Sequence, residues 1–247
     1  MPIEFQEVDF RFASGKRPGL VIIDEVVGFC TVGAGNLAPR THDQTIIDMV
    51  INTNLLANVF ADFRWPIWAF RDEHLPDVPE PPYPPHCIKG TGEELLVPEL
   101  RWLEKCDYAR VAPKRCINGF VGAIKSEAIL SEGKNDIIQW INSYKISHLV
   151  VVGICTDICV SDFVCTILSA RNTRMLPDDL PMLPRLKEVI VFTPAISTYD
   201  FSLETTKKLK LSKTAAHPAE VTGYMGLYTM ASRGAIIANG LSLGFKE

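Results

Sequence analysis

Six residues of this 247-residue chain have types and spacings that could do chemistry together: Asp24, Asp72, His74, His86, Lys114 and Cys159. Cys159 follows Thr156-Asp157-Ile158, just beyond the apolar run His148-Leu-Val-Val-Val-Gly-Ile154. Thr156 or Asp157 can cap a helix in which Ile158, Val160, Phe163, Ile167 and Leu168 recur at mostly three- and four-residue steps. A thiol in the first turn of such a helix meets unpaired N–H groups and the positive end of the helix dipole. Both favour a thiolate and offer donors to an oxyanion. The expectation is a nucleophilic Cys159 of lowered pKa. Cys155 and Cys165 read instead as small buried hydrophobes, as most cysteines are.

Asp72 and His74 stand two apart, so an extended chain places both side chains on one face. The prolines of Tyr83-Pro-Pro-His-Cys87 stiffen the return that delivers His86. One carboxylate and two imidazoles suit a divalent metal ion such as zinc, iron or manganese, with positions open for water and substrate. Surface histidines beside prolines are equally ordinary, so the residues alone leave the metal open. Asp24 closes the run Gly19-Leu-Val-Ile-Ile23, and Lys114 closes Tyr108-Ala-Arg-Val-Ala112 one residue after Pro113. Singly, they read as a loop acid and a solvated lysine. What links them is position, since ligand crevices of open parallel sheets lie outside the C-terminal ends of the strands.

The elements that must position these groups alternate as strand and helix. Unbroken β-branched runs without polar alternation predict strands buried on both faces at Gly19–Ile23, Pro66–Phe70, Tyr108–Ala112, His148–Ile154, Glu188–Phe192 and Gly234–Ala238. Helices are expected at Thr41–Phe63, with Ile46, Ile47, Val50, Ile51, Leu55 and Val59 inward, and at Asn135–Tyr144, Asp200–Leu211 and Ala216–Ala231. The fold class that follows is α/β: a three-layer, Rossmann-like, mostly parallel six-stranded sheet with helices on both faces. The segment before Gly19 reads as a short polar lead, Arg174–Arg185 as a surface insertion, and His42 and His217 as capping or surface residues. Gly33-Ala-Gly35 lacks the spacing of a nucleotide fingerprint.

With 47% hydrophobic residues the chain can bury a full core, and one domain over 1–247 is expected. A net charge of -4 and a pI near 5.8, without a basic stripe, argue against nucleic acid as a partner. No apolar run approaches the roughly 20 residues of a membrane span, and acids stand where a signal peptide would carry a basic region. A cytoplasmic protein with reduced thiols is expected, because the seven cysteines form no CxxC pair.

The run Gly153-Ile-Cys-Thr-Asp-Ile-Cys-Val160 resembles the nucleophile segment of the nicotinamidases, within the isochorismatase-like cysteine hydrolases. Asp72-x-His74 and Pro84-Pro-His-Cys-Ile-Lys-Gly-Thr91 are similar to that family's metal-binding segments, and Lys114-Arg-Cys-Ile-Asn-Gly-Phe120 to its lysine element. The resemblance is closest to the plant-type members. It implies a triad of Asp24, Lys114 and Cys159, and a cis peptide before Cys155. The amides of Cys155 and Cys159 would form the oxyanion hole, and Asp72, His74 and His86 would hold the metal, zinc first with iron or manganese as alternatives. The implied reaction is hydrolysis of nicotinamide to nicotinate and ammonia through a cysteine thioester, a step of NAD salvage, in a protein that can form a homo-oligomer. Departures fall at Glu25-Val-Val-Gly-Phe29, where many relatives have Gln and Asp, and at Tyr83, where many have Trp. They put the pocket's shape in question, because Phe29 and Tyr83 are the aromatics placed against a flat substrate ring. Two rivals stay open: a hydrolase of the same fold acting on another small substrate, and a catalytically silent binding protein.

Overall fold

The computed structural model describes residues 5–13, 15–78, 80–81, 83–124, 135–175, 180–208, 210, 212–213 and 216–243. Its centre is β5 (His148–Ile154), buried at every position. On one side β5 pairs with β2 (Pro18–Ile23), then β3 (Ile67–Asp72) and β4 (Ala109–Lys114); on the other it pairs with β6 (Glu188–Ser197), β7 (Ile236–Leu243) and β1 (Glu7–Phe12). Every neighbouring pair in this sheet is parallel. The sheet therefore has seven strands where six were expected. The added strand is β1, a half-exposed edge whose Val8, Phe10 and Phe12 alternate with polar residues. A search for continuous apolar runs passes over such an edge.

The chain moves outward from β2 to β4 and then returns to the other side of β2 with β5. The two central strands thus flank the point at which strand order reverses, where open α/β sheets form their crevice. Alternate residues of these strands feed two cores. Leu20, Ile22, Ile67, Ala69, Val150 and Val152 pack on one face with Ile46, Met49 and Phe60 of α1 (Gln44–Asp62). Val21, Ile23, Trp68, Phe70 and Val151 pack on the other with Ile137 and Ile141 of α2 (Asp136–Ser143) and Phe163 and Ile167 of α3 (Ser161–Asn172).

Asp43 caps α1 by accepting from the Thr45 and Ile46 amides, and Asn135 caps α2 through those of Ile137 and Ile138. The buried face of α1 differs from the expected one. Ile51, Leu55 and Val59 are exposed, while Thr53 and Ala57 are buried with Ile46, Met49, Val50 and Phe60. The Thr53 hydroxyl donates to the buried Glu25 carboxylate at 2.6 Å, which turns a polar residue inward. Beyond α3, Arg174–Met175 pairs antiparallel with Leu180–Pro181; the rest of the expected insertion up to that second segment lies outside the described residues. The C-terminal helices are α4 (Leu203–Lys208) and α5 (Ala219–Ser232). Among the described residues no helix is long and apolar enough to cross a membrane.

His148, buried at the start of β5, packs against the rings of Phe10 and Phe12 from the edge strand. Burial, helped by Lys16 and Lys187, lowers its pKa from 6.5 to about 4. The unfolded chain takes this proton first, so stability from His148 is complete above about pH 6.5 and is lost as pH falls towards 4. Across that window the urea midpoint of the wild-type chain should fall relative to that of His148→Gln by the equivalent of about 3 kcal/mol.

Candidate active site

The C-terminal ends of β3, β4 and β5 converge on one pocket, whose lining includes Asp72, Lys114, Ile154 and Cys159. Sheet register does much of the positioning. Asp72 and Lys114 are directly paired as the last residues of β3 and β4. Gly153, at φ 116, lies against the Ile23 carbonyl so closely that a Cβ there would collide with it, and this approach sets Asp24 beside the β5 exit. Asp24 itself adopts a left-handed φ of 53, uncommon for a non-glycine residue and held here by the Phe70 carbonyl accepting from its amide at 3.2 Å.

Lys114, 1% exposed, is the hub. Its Nζ lies 2.7 Å from Asp24 Oδ2 and donates to Asp72 Oδ1 at 3.1 Å, to the Cys116 carbonyl at 2.9 Å and towards Cys159 Sγ at 3.9 Å. Burial opposes this ammonium, but Asp24, Cys159 and Asp72 outweigh it and hold its pKa well above that of an ordinary lysine. Burial raises the Asp24 carboxyl to about 6 despite Lys114. For Asp72 burial pushes the same way, but Lys114 and the histidines win and keep it ionised far below the usual carboxylate range.

Cys159 sits in the tight turn Thr156–Val160 between β5 and α3, after a cis Ile154–Cys155 peptide. The amides of Ile158 and Val160 both donate to the Cys155 carbonyl at 3.1 Å, folding the turn onto its own start. The expected lowering of the thiol pKa is not what the structure gives. Burial pushes the Cys159 thiol well above the ordinary cysteine range, against the pull of Lys114, and Asp24 adds to the rise. Position in a first turn favours a thiolate only where the sulfur is not also desolvated. The resting group is a thiol beside the Asp24–Lys114 pair, with Lys114 Nζ 3.9 Å from its sulfur.

The second cluster shares Asp72. Its Oδ2 lies 3.1 Å from His74 Nε2 and 3.2 Å from His86 Nε2, and one ligand atom from each residue falls within 4.8 Å of the others. A parallel bridge between His74 and Ile88 closes the proline-rich excursion and returns His86 to the site. Glu93 and Glu94 then hold the following turn by accepting from the Cys87, Gly90 and Gly92 amides. His86 Nδ1 donates to the Pro84 carbonyl at 2.8 Å, which fixes the ring with Nε2 facing the Asp72 carboxylate. His74 Nε2, His86 Nε2 and an Asp72 oxygen form an N, N, O donor set that fits a divalent metal.

Glu80, which carries no motif, also belongs here. Its Oε2 lies 3.5 Å from His74 Nε2 and 3.6 Å from His86 Nε2, while Oε1 accepts from the Ile117 amide at 2.9 Å. The one signal for it in the sequence is a carboxylate lying inside the excursion between His74 and His86. Phe29 and Tyr83 line the pocket on either side of His86, with ring centroids 5.6 and 6.1 Å away. Tyr199, Leu37 and Ile117 line it too, each from a loop without chemical periodicity. Glu25 lies outside: it is bonded to Thr53, and burial pushes its pKa well above the usual range.

Residues 18–172 match the isochorismatase domain family, and the chain belongs to that family. It is 46% identical over 224 residues to Nicotinamidase 1 of Arabidopsis thaliana, covering 91% of this chain and 86% of that one. Among solved structures, a nicotinamidase from Bacillus subtilis shares the fold at a TM-score of 0.63 and 17% identity, over 90% of this chain and 100% of its own. The pyrazinamidase of Pyrococcus horikoshii, crystallised with zinc, gives a TM-score of 0.60 at 16% identity, over 90% of this chain and 98% of its own.

If the thiol beside the Asp24–Lys114 pair is the reacting atom, its neighbour one turn away is not. Cys155 has its pKa pushed up to about 12 by burial and by Asp157. Cys159→Ala should reduce turnover by at least about 10³-fold, and Cys155→Ala should stay within roughly tenfold of wild type. Steady-state rates on both purified variants decide it, and comparable losses in the two would move the nucleophile elsewhere.

Proposed function

We propose that this protein is a nicotinamidase, an amide (C–N) hydrolase that converts nicotinamide to nicotinate and ammonia in NAD salvage. The observation that carries this reading is that Asp72 serves two clusters at once, the Lys114 hub beside Cys159 and the His74–His86 pair. A thiol nucleophile and a ring-holding site thereby open into one aromatic-walled pocket. The likeness to the Arabidopsis nicotinamidase over nearly the whole chain supports the substrate.

In this reading Asp24 accepts the Cys159 proton as the sulfur attacks the amide carbon. Lys114 Nζ stands between the two groups, 2.7 Å from Asp24 Oδ2 and 3.9 Å from Cys159 Sγ, and an acceptor with a pKa of about 6 is matched to proton transfer at neutral pH. Lys114 holds the carboxylate and stabilises the charge arriving at sulfur. The amides of Cys155 and Cys159 receive the oxyanion, each worth about 3 kcal/mol when well placed. Asp24 then passes its proton to the departing ammonia, and water releases nicotinate from the thioester. Phe29 and Tyr83 hold the flat ring. Asp72, His74 and His86, with Glu80 beside them, would hold a divalent ion, zinc in the first instance, which when bound supplies Lewis acidity towards a ring nitrogen or water.

Ammonia release from nicotinamide, followed before and after stripping with a strong chelator, tests the reading. Activity should fall at least about tenfold on stripping and return with a divalent ion. A folded, metal-loaded sample that releases none would exclude nicotinamide as substrate. The pH profile carries a second expectation. Asp24 must be ionised to accept the thiol proton, so kcat/KM should decline below about pH 6, approaching tenfold per unit, while Asp24→Asn should lose activity across the whole range.

A further inference from the structure

His217 stands outside the two clusters, in the loop between α4 and α5, yet it is largely enclosed and both of its ring nitrogens face acceptors. Nε2 lies 2.8 Å from Asp157 Oδ2, and Nδ1 lies 2.7 Å from the Tyr199 carbonyl oxygen. A carbonyl cannot donate, and Asp157 is ionised, its pKa lowered against burial by His217 and Thr198. A neutral imidazole has a single N–H, so only the imidazolium satisfies both partners. The ring also lies flat on Tyr199, with centroids 4.0 Å apart and planes 15° from parallel. It has little freedom to leave, because His217 and Phe201 exchange two backbone hydrogen bonds of 2.8 Å.

The two partners are not arbitrary surface groups. Asp157 is two residues before Cys159 in the nucleophile turn, and Tyr199 lines the pocket. Asp157 is gripped from three sides: by His217, by the Thr198 hydroxyl at 2.7 Å, and by Gly226 of α5, where a Cβ would come within 2.7 Å of the Asp157 Cα. We propose that His217 is a positioning residue, a resident imidazolium that ties the turn bearing Cys159 to the Tyr199 wall of the substrate pocket. The proposal rests on the assignment of Cys159 as nucleophile in an amide-hydrolysing site.

His217→Phe keeps a flat ring for Tyr199 and removes both donors. With active sites counted by alkylation of Cys159, its KM for nicotinamide should rise at least about tenfold per active site, and iodoacetamide should alkylate Cys159 about fivefold more slowly or worse. A merely structural role would lower the number of titratable sites and leave both per-site quantities at wild-type values. His217→Gln, which retains one donor, should fall between the two, and His42→Ala at an exposed position should match wild type. A His217→Phe protein, folded by circular dichroism, with wild-type KM and alkylation rate overturns the proposal. Should that variant not fold, wild-type values in His217→Gln overturn it equally. Alkylation is read without substrate, so a wild-type protein inactive on nicotinamide would sink the functional reading while still deciding the role of His217.

Discussion

Everything at the pocket depends on one buried cation. Lys114 places a positive charge where the ends of three strands and the Cys159 turn meet, touching two carboxylates, a carbonyl and a thiol while almost wholly buried. Isolated, any of these charges would be costly to bury; together they are tolerable because each compensates another. The same compensation makes the arrangement unforgiving. Without Lys114, Asp24 and Asp72 would face one another with no counter-charge. The β3–β4 register must pair residue 72 with residue 114, because a shift by one residue turns either side chain to the opposite face.

This crowding also explains the order of proton affinities. Burial alone would make Asp24, Asp72 and Cys159 all neutral. A single ammonium cannot rescue three anions, and Asp72 takes the larger share because the histidines support it. Asp24 is left near neutrality and Cys159 as a thiol. The site therefore stores its proton on sulfur and keeps Asp24 and Lys114 beside it. In the proposed reaction, nucleophilicity arises on demand, when Asp24 takes the proton in the presence of a reacting carbonyl, and is not held as a standing thiolate.

The groups legible in the sequence are those tied to strand ends. Asp24, Asp72, Lys114 and Cys159 each terminate or follow an apolar run, and parallel-sheet topology brings such ends to one edge whatever lies between them. His74 and His86 were legible through spacing and through resemblance. What escaped depends on tertiary choices without a local pattern. Thr53 is buried on α1 because Glu25 needs a donor, and that rotates the helix away from the stripe of Ile51, Leu55 and Val59. The edge strand β1 is half solvated and so lacks a continuous run. Glu80 acts through the fold of a proline-rich excursion, and the direction of the Cys159 shift depends on how much protein surrounds the sulfur, which helix position alone does not reveal.

The division of work between strands and loops has a physical consequence. The ionised groups are held by backbone ladders and register, so their geometry is insensitive to the loops above them. The aromatic walls of the pocket come from elsewhere: Phe29 from the turn after β2, Tyr83 from the excursion after β3, and Tyr199 from the segment after β6. Loops of this kind tolerate change because few buried polar groups depend on them. Tyr199 is the exception, since its carbonyl and ring are both engaged by His217, which in turn engages the nucleophile turn. One wall of the pocket is thereby bound to the rigid machinery while the others are free to vary. On the proposed function, a site built this way can change which ring it admits at Phe29 or Tyr83 without disturbing the buried charges of Asp24, Asp72 and Lys114.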